Sequence, residues 1–366
     1  MKFERRSFFM LSALSLAAAF ASPAALAGRI GGPGHVYTMT NAAAGNDVLV
    51  YERGAHGALS LAQTVPTAGL GTGAGLGSQG SVTLSQDGRW LFVVNGGSGT
   101  VSTFSVGGKA LTLASTVPGG GALPVSVTEF DGIVYVLNGG ANGNVTGFRN
   151  KDGRLVPLSD GVRPLSDPSD VGPAEALFDR LGRTLAVSEK VTNRITTYAA
   201  HADGSLGQPV VNPSAGVTPF GFVFDVSDHL LSSEAGSSSL SSYKLVGQPA
   251  TTARVISGAV PNFQAAACWA AVTPDGRFAF TANAATPSIS TYDVARNGEL
   301  ALTHSMPEPV GAHPVDMVVS EGSDTLFVLN NGNGTITSFG IGNRGALTLQ
   351  ATMSGLPITT NGLAID

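Results

Sequence analysis

The sequence has 366 residues, of which 43% are hydrophobic and 12% are charged, with a formal net charge of −5 and one cysteine, Cys268. The acidic balance and the lack of a basic cluster exclude nucleic acid as an expected partner. One cysteine excludes an intramolecular disulfide and a cysteine-rich metal site, so the fold must be held by core burial. The 49 glycines indicate many tight turns.

The N-terminal pattern predicts a signal peptide over residues 1–27. Three basic residues precede an apolar stretch at residues 8–20, and a small-x-small cleavage site follows at Ala25–Ala27. The stretch is short for a bilayer, so we expect no membrane span after cleavage and a periplasmic or secreted protein. Arg5-Arg6 is typical of a twin-arginine signal. The general secretory route stays open. Residues 28–366 are then one domain, with 17 Lys and Arg against 24 Asp and Glu.

The clearest structural unit consists of four short strands joined by turns. Residues 81–84, 90–94, 100–106 and 110–117 are runs of β-branched, aromatic and other apolar residues, and Asp87-Gly88-Arg89 forms the first turn between them. The second run is apolar at every position, so we expect it to be buried on both faces. Such a sheet cannot cover its own faces and must stack against copies of itself.

The buried second strand recurs seven times along the chain. Its ends lie at residues 41, 95, 138, 189, 234, 283 and 330, a spacing of 43 to 54 residues. The repeat that begins near His35 lacks a first strand, whereas residues 361–366 form a spare one. We therefore predict an all-β fold, a seven-bladed β-propeller of four-stranded blades. The C-terminal strand joins the first blade and closes the ring, which removes the free sheet edges.

Several segments resemble the lactonase family of seven-bladed propellers, which includes 6-phosphogluconolactonase and carboxymuconate cyclase. The resemblance rests on residues 87–95 (DGRWLFVVN), 172–174 leading to 189–195, and 274–277 (PDGR). Exported members of the family are similar at three further segments: 75–80 (GLGSQG), 219–222 (PFGF) and Cys268-Trp269. The resemblance covers essentially the whole mature chain and implies the propeller fold.

The resemblance also implies a function, the hydrolysis or formation of a lactone of a small sugar acid or carboxylic acid. Characterised members place histidines on the first strands near the channel. In this sequence the matching positions mostly hold other residues: Ser81, Val125, Ala176 and Gly221. The alternative is a non-catalytic binding propeller of the Tyr-Val-x-Asn repeat type, which Phe280 to Asn283 resembles.

Candidate site residues follow from the topology of a propeller. The turns between strands two and three share one face with the loops that lead into each blade. On this face Glu189 or Glu234 is the predicted general base and His313 the predicted acid, while Lys190 or Arg194 would hold an anionic substrate. Further substrate-binding candidates are Asn95, Asn138, Asn283, Asn330, Gln79 and Trp269.

Each candidate also has a structural interpretation. Asparagine at a strand end commonly stabilises a turn, and Glu189 or Glu234 could pair with Lys190 or Arg194 in a structural ion pair. No cofactor and no metal site are predicted, although carboxylate and amide oxygens leave a central Ca²⁺ as a minor alternative. We expect a monomer that binds a small molecule in its channel.

Overall fold

The structure is a computed structural model that describes Met1 and residues 34–107, 110–309 and 311–366. Apart from Met1, the predicted signal peptide lies outside the described residues. Residues 34–366 form seven four-stranded antiparallel sheets. The predicted seven-bladed propeller is therefore confirmed. Among the described residues, no helix is long and apolar enough to span a membrane.

The first four blades follow one another in chain order. Blade 1 contains β1 (His35–Met39), β2 (Asp47–Arg53) and β3 (Leu59–Pro66). Blade 2 contains β4 (Val82–Leu84), β5 (Trp90–Asn95), β6 (Thr100–Gly107) and β7 (Ala110–Pro118). Blade 3 contains β8 (Pro124–Phe130), β9 (Ile133–Asn138), β10 (Asn144–Lys151) and β11 (Arg154–Pro164). Blade 4 contains β12 (Pro173–Phe178), β13 (Thr184–Glu189), β14 (Arg194–Ala199) and β15 (Val210–Pro213).

The remaining blades repeat the same order of strands. Blade 5 contains β16 (Pro219–Phe224), β17 (His229–Glu234), β18 (Ser239–Val246) and β19 (Thr252–Pro261). Blade 6 contains β20 (Ala267–Val272), β21 (Phe278–Asn283), β22 (Ser288–Val294) and β23 (Leu300–Pro307). Blade 7 contains β24 (Pro314–Val319), β25 (Thr325–Asn330), β26 (Thr335–Ile341) and β27 (Leu347–Ser354). Short 3-10 turns lie at Ala55–Gly57 and Asn343–Gly345.

The last strand, β28 (Asn361–Ile365), closes the ring. It pairs antiparallel with β1, so blade 1 has the order β28-β1-β2-β3. Asp366 strengthens the closure, because its side chain accepts a hydrogen bond from Tyr37 Oη at 2.7 Å and its carbonyl accepts one from Arg53 at 2.6 Å. The predicted closure by the C-terminal strand is confirmed.

The second strands form the core between neighbouring blades. Every residue of β9, β13, β17 and β21 is buried, which agrees with the runs that are apolar or small on both faces. Adjacent blades stack these strands face to face, and the apolar side chains form contiguous clusters. This stacking fixes the first strands around a central channel.

Six of the seven first strands carry a bulge, which lies between residues 361 and 364 in β28 and directly at the start of the strand in the other five. In β8, for example, Pro124 faces Asn138 and Ser126 faces Leu137, so Val125 is an extra residue on the first strand. The same register shift occurs at the start of four other first strands: β12, β16, β20 and β24. A bulge reverses which side chains point toward the channel.

Candidate active site in the central channel

A polar side chain recurs at the end of the second strand of most blades, where it forms hydrogen bonds to neighbouring polar groups. This arrangement is here called the corner of the blade. Asn95 donates hydrogen bonds to Thr100 Oγ1 at 3.1 Å and to Ser102 Oγ at 2.8 Å, both on the third strand of the same blade. Equivalent bonds to the third strand are made by Asn138, Asn283 and Asn330. These amides join the second and third strands within each blade. Their predicted role in substrate binding stays a prediction.

Glu189 and Glu234 occupy the same corner position in blades 4 and 5. Both are fully buried. Glu189 accepts hydrogen bonds from Ser166, Thr192 and Thr196. Glu234 accepts hydrogen bonds from Ser214, Gly216, Ser239 and Tyr243. The two sets of partners share no residue, so each carboxylate is enclosed in its own corner. The catalytic role predicted for them is untested, and this geometry favours a structural one.

The other predicted catalytic and anion-binding residues do not join these glutamates. His313 and Arg194 are exposed, and within the described ranges neither side chain is hydrogen-bonded to Glu189 or Glu234. Lys190 donates from Nζ to the carbonyl of Gly77 at 2.6 Å and lies 4.9 Å from the centre of the Phe220 ring. Burial lowers the pKa of Lys190. The Lys190 side chain therefore contacts a backbone carbonyl and an aromatic ring of the protein itself.

The glycine-rich loop at residues 69–80, here called the strap, closes one end of the channel. Trp269 Nε1 donates to the carbonyl of Ser78 at 2.9 Å, and Ser78 Oγ donates to the carbonyl of Val125 at 2.8 Å. The backbone N–H of Gln79 donates to the carbonyl of Ala174 at 3.1 Å. The strap, which connects blade 1 to blade 2, therefore also contacts blades 3, 4 and 6.

Gln79 reaches across the channel into a space that a glycine leaves open. Its amide donates to the carbonyl of Ala270 at 2.9 Å and accepts from the backbone N–H of Ala270 at 3.0 Å. A Cβ atom at Gly221 would lie 2.0 Å from Gln79 Oε1. The lack of a side chain at Gly221 is therefore required for this contact. The sequence places Gln79 and Trp269 near the channel; in the structure Gln79 belongs to the strap and Trp269 contacts it.

Below the strap, one residue from each of six blades, on the first strand or directly before it, forms the first channel layer. Its members are Ser81, Ser126, Glu175, Gly221, Trp269 and Asp316, all of them buried. Glu175 Oε2 accepts a hydrogen bond from the N–H of Phe222 in the next blade at 2.6 Å. Asp316 accepts one from its own neighbour Met317 at 2.8 Å and one from Leu363 at 3.0 Å. Two carboxylates thus belong to the same layer, on blades 4 and 7.

These two carboxylates are electrostatically unusual. Burial raises the pKa of Glu175 well above its ordinary value, and the charge of Asp316 raises it further. Burial also raises the pKa of Asp316, to about 7. Among the described residues neither carboxylate has an ion pair with Lys, Arg or His. A buried carboxylate without a cation takes up a proton more readily, which is what acid–base catalysis near neutral pH requires.

The second ring of channel side chains, here called the channel collar, lies two residues further along each first strand. Its members are Thr83, Thr128, Leu177, Val223, Ala271 and Val318. Thr83, Leu177, Val223 and Val318 are half-buried, whereas the first channel layer is buried. Exposure thus rises along the first strands away from the strap. Solvent therefore reaches the channel from the face that carries turns such as Asp87 to Arg89.

The sequence analysis missed Glu175 and Asp316 and assigned two channel positions wrongly. Val125 and Ala176, the positions first matched to the channel, are packed in the hydrophobic cluster between blades 3 and 4. The bulges shift the channel position to Ser126 and Glu175. The signal that could have revealed this is the proline that opens four of the first strands, since Ser126, Glu175 and Asp316 each follow such a proline by two residues.

Within the described part of the chain, no group of three or more His, Cys, Asp or Glu side chains is arranged to hold a metal ion. The channel layer offers two carboxylates and the hydroxyls of Ser81 and Ser126. Its chemistry is therefore that of an acid–base pair in a polar layer.

Comparison with known proteins identifies a family and several similar folds. The sequence matches the family described as "Lactonase, 7-bladed beta-propeller" over residues 34–163 and 249–359. No curated protein matches it significantly. The periplasmic gluconolactonase PpgL of Pseudomonas aeruginosa has a similar fold, with 18% identity, a TM-score of 0.72, and coverage of 91% of this chain and 98% of that one.

Two further solved structures are similar. A candidate 6-phosphogluconolactonase of Bacteroides fragilis has 17% identity and a TM-score of 0.71, and covers 91% of this chain and 98% of its own. The virginiamycin B lyase of Staphylococcus aureus has 14% identity and a TM-score of 0.55, with coverage of 76% and 85%. At these identities the likeness concerns the fold alone. The match to the family, which spans about two thirds of the residues, together with the closed ring of seven blades, shows that this chain belongs to the lactonase family of seven-bladed β-propellers.

Proposed function

We propose that this protein hydrolyses a lactone in its central channel, with Glu175 and Asp316 as the acid–base pair. The observation that carries the proposal is the presence of two buried carboxylates in the first channel layer, without a cationic partner among the described residues. Membership of the lactonase family supports the choice of substrate class. The substrate is a lactone of a small sugar acid or carboxylic acid.

The contacts of the two carboxylates assign their roles. Asp316 accepts an N–H on each of its oxygens, and such bonds favour the charged form. Glu175 accepts an N–H on Oε2 only, so Oε1 is the oxygen that can carry a proton. Two interacting carboxylates titrate as a pair and hold one proton between them over a range of pH. Glu175 is then the acid and Asp316 the base.

The reaction needs both roles. Asp316 takes a proton from water as the water oxygen bonds to the lactone carbonyl carbon. The ring C–O bond then breaks, and the proton of Glu175 goes to the departing ring oxygen, which becomes the hydroxyl of the product. A final proton transfer from Asp316 to Glu175 restores the pair. The product is the open hydroxy acid, and water is the only co-reactant.

We also include export in the proposal. The predicted signal at residues 1–27 supports it, and the similar fold of a protein described as a periplasmic gluconolactonase agrees with it. The N-terminal sequence of protein recovered from the periplasm tests the cleavage at Gly28. Replacing Arg5-Arg6 by Lys-Lys should stop export by the twin-arginine route and leave the general secretory route intact.

The test of the activity is lactone hydrolysis followed by acid release, with purified Glu175→Gln and Asp316→Asn variants. Each substitution keeps the shape and removes the titrating group, so kcat should fall at least ~100-fold. Asp293→Asn, at an exposed position on β22, is the matched control and should keep full activity. Wild-type protein that binds lactones without hydrolysing them would instead support the non-catalytic binding propeller. Unchanged turnover in Glu175→Gln would remove this pair from the mechanism.

A further inference from the structure

We infer that the channel selects a neutral lactone with an apolar substituent and rejects phosphorylated sugar lactones. This inference rests on the proposed function and narrows its substrate class. It is carried by three features of the channel: the charges on its first strands, the side chains of the channel collar, and the strap.

The first strands are acidic. The seven strands β4, β8, β12, β16, β20, β24 and β28 contain three acids and no Lys, Arg or His. The acids are Glu129, Glu175 and Asp316, of which Glu175 and Asp316 belong to the first channel layer. A phosphate dianion in this channel would meet like charge in a water-poor space with no guanidinium or ammonium group on these strands to pair with it. Such juxtaposition of like charges is strongly unfavourable.

The channel collar is mostly aliphatic on the solvent side. Leu177, Val223 and Val318 are half-buried there, so part of each side chain remains accessible to a ligand. These residues offer no hydrogen-bonding groups for the hydroxyls of a sugar. An alkyl substituent that lies on them removes apolar surface from water on both partners, which favours binding.

At the opposite end of the channel, the described residues do not offer a compensating cation. Lys190 is the basic residue that the strap contacts, and its ammonium group is held by the carbonyl of Gly77 at 2.6 Å and by the face of Phe220. Gln79, which belongs to the same strap, has both ends of its amide bonded to Ala270. A substrate that reaches Glu175 and Asp316 from the collar side therefore does not meet Lys190.

The test compares kcat/KM for three lactones. These are δ-nonalactone, which is neutral with an alkyl chain; glucono-δ-lactone, which is neutral and polyhydroxylated; and 6-phosphoglucono-δ-lactone, which is an anion. We expect the order in which they are named, with a ratio of at least ~10 between the first and the last. Faster turnover of either of the other two than of δ-nonalactone would overturn the inference.

A charge placed in the collar provides a second readout. Val223→Lys should lower kcat/KM for δ-nonalactone and raise the relative rate for the phosphorylated lactone. Val255→Lys, at an exposed position of β19 in the same blade, is the control and should leave the ratio unchanged. Val318→Lys repeats the change in blade 7 in case Val223→Lys does not fold. An unchanged ratio in a folded collar variant would place the substrate elsewhere and overturn the inference.

Failure of the inference and failure of the proposed function are distinguishable. If 6-phosphoglucono-δ-lactone is the best substrate and Glu175→Gln still abolishes its turnover, the proposed function holds and only the substrate class is wrong. If wild-type protein hydrolyses none of the three lactones, the proposed function itself is contradicted.

Discussion

The burial of Asp316 makes the stability of the protein depend on pH in a way that one substitution can reveal. The folded structure raises the pKa of this carboxyl from 3.8 to about 7, mainly by burial. The folded state therefore binds the proton more tightly than the unfolded chain does. Protonation stabilises the fold fully at low pH, and this contribution is lost as the pH rises from about 4 through about 7.

The size of this effect follows from the shift itself. Each tenfold change in proton affinity corresponds to about 1.4 kcal/mol, so a pKa raised from 3.8 to about 7 corresponds to about 4 kcal/mol. Asp316→Asn removes the titration, but an amide can accept only one of the two N–H bonds from Met317 and Leu363. The lost bond costs about 1–3 kcal/mol at every pH.

The two contributions have different pH dependence, which makes the prediction specific. At pH 4 Asp316→Asn should be less stable than wild type by about 1–3 kcal/mol. By pH 8 to 9 the difference should move in favour of the variant by about 4 kcal/mol. The measurement is urea unfolding followed by the fluorescence of Trp90 and Trp269, with both proteins compared at each pH. Other titrating groups are common to both proteins and cancel in the difference, except Glu175, whose pKa is raised by the charge of Asp316.

The reasoning is refuted by a difference in unfolding free energy that stays constant from pH 4 to pH 9. Such a result would mean that Asp316 keeps its ordinary pKa in the folded state. Asp293→Asn is again the control, because it makes the same substitution at an exposed position on β22.

Three further predictions concern the scaffold. Deletion of residues 361–366 should lower the melting temperature sharply, since it removes β28 from blade 1; an unchanged melting curve would contradict the closure. Glu189→Gln should destabilise the protein by about 1–3 kcal/mol, because an amide accepts fewer of the corner's hydrogen bonds; a large loss of turnover with unchanged stability would favour its predicted catalytic role. Gln79→Ala should lower the urea midpoint by removing both bonds to Ala270, whereas Gln86→Ala, on an exposed turn, should leave it unchanged.

The blades and their closure were predictable because they follow from local patterns. A run such as Trp90 to Asn95 is apolar on both faces and ends at a turn, so its place as a buried second strand depends on few distant contacts. The recurrence of this pattern at intervals near 50 residues gives the number of blades. The unpaired first strand at residues 361–366 gives the closure.

The channel chemistry was not predictable in the same way, because it depends on a register that the sequence does not display. A strand without a bulge would align Val125 and Ala176 with the channel. The extra residue at the start of β8 and β12 shifts Ser126 and Glu175 there instead. Because side chains alternate with a period of two, this one-residue shift exchanges the core face and the channel face. It concealed Glu175 among residues that a simple alternation assigns to the core.

For the glutamates at the strand ends, the sequence suggested a catalytic role where the structure favours a structural one. Glu189 and Glu234 stand out in the sequence because asparagine occupies most of the equivalent positions. In the structure they accept three or more hydrogen bonds each from hydroxyls and amides of their own corners. A carboxylate with two acceptor oxygens can bind more donors than an amide can. The glutamates therefore fit corners in which several hydroxyl and N–H donors converge on the strand end.

The contact between Gln79 and Gly221 could not be predicted from local sequence patterns. Each residue alone has an ordinary local explanation, since one lies in a glycine-rich loop and the other in a strand. Together they seal the channel, because the missing side chain of Gly221 leaves the volume that Gln79 fills from the other side of the ring. Gly221→Ala would place a methyl group 2.0 Å from Gln79 Oε1, which the strap can relieve only by withdrawing. The pairing of a strand glycine with a distant polar side chain is thus a property of the closed ring, and it directs access to Glu175 and Asp316 from the side of the channel collar.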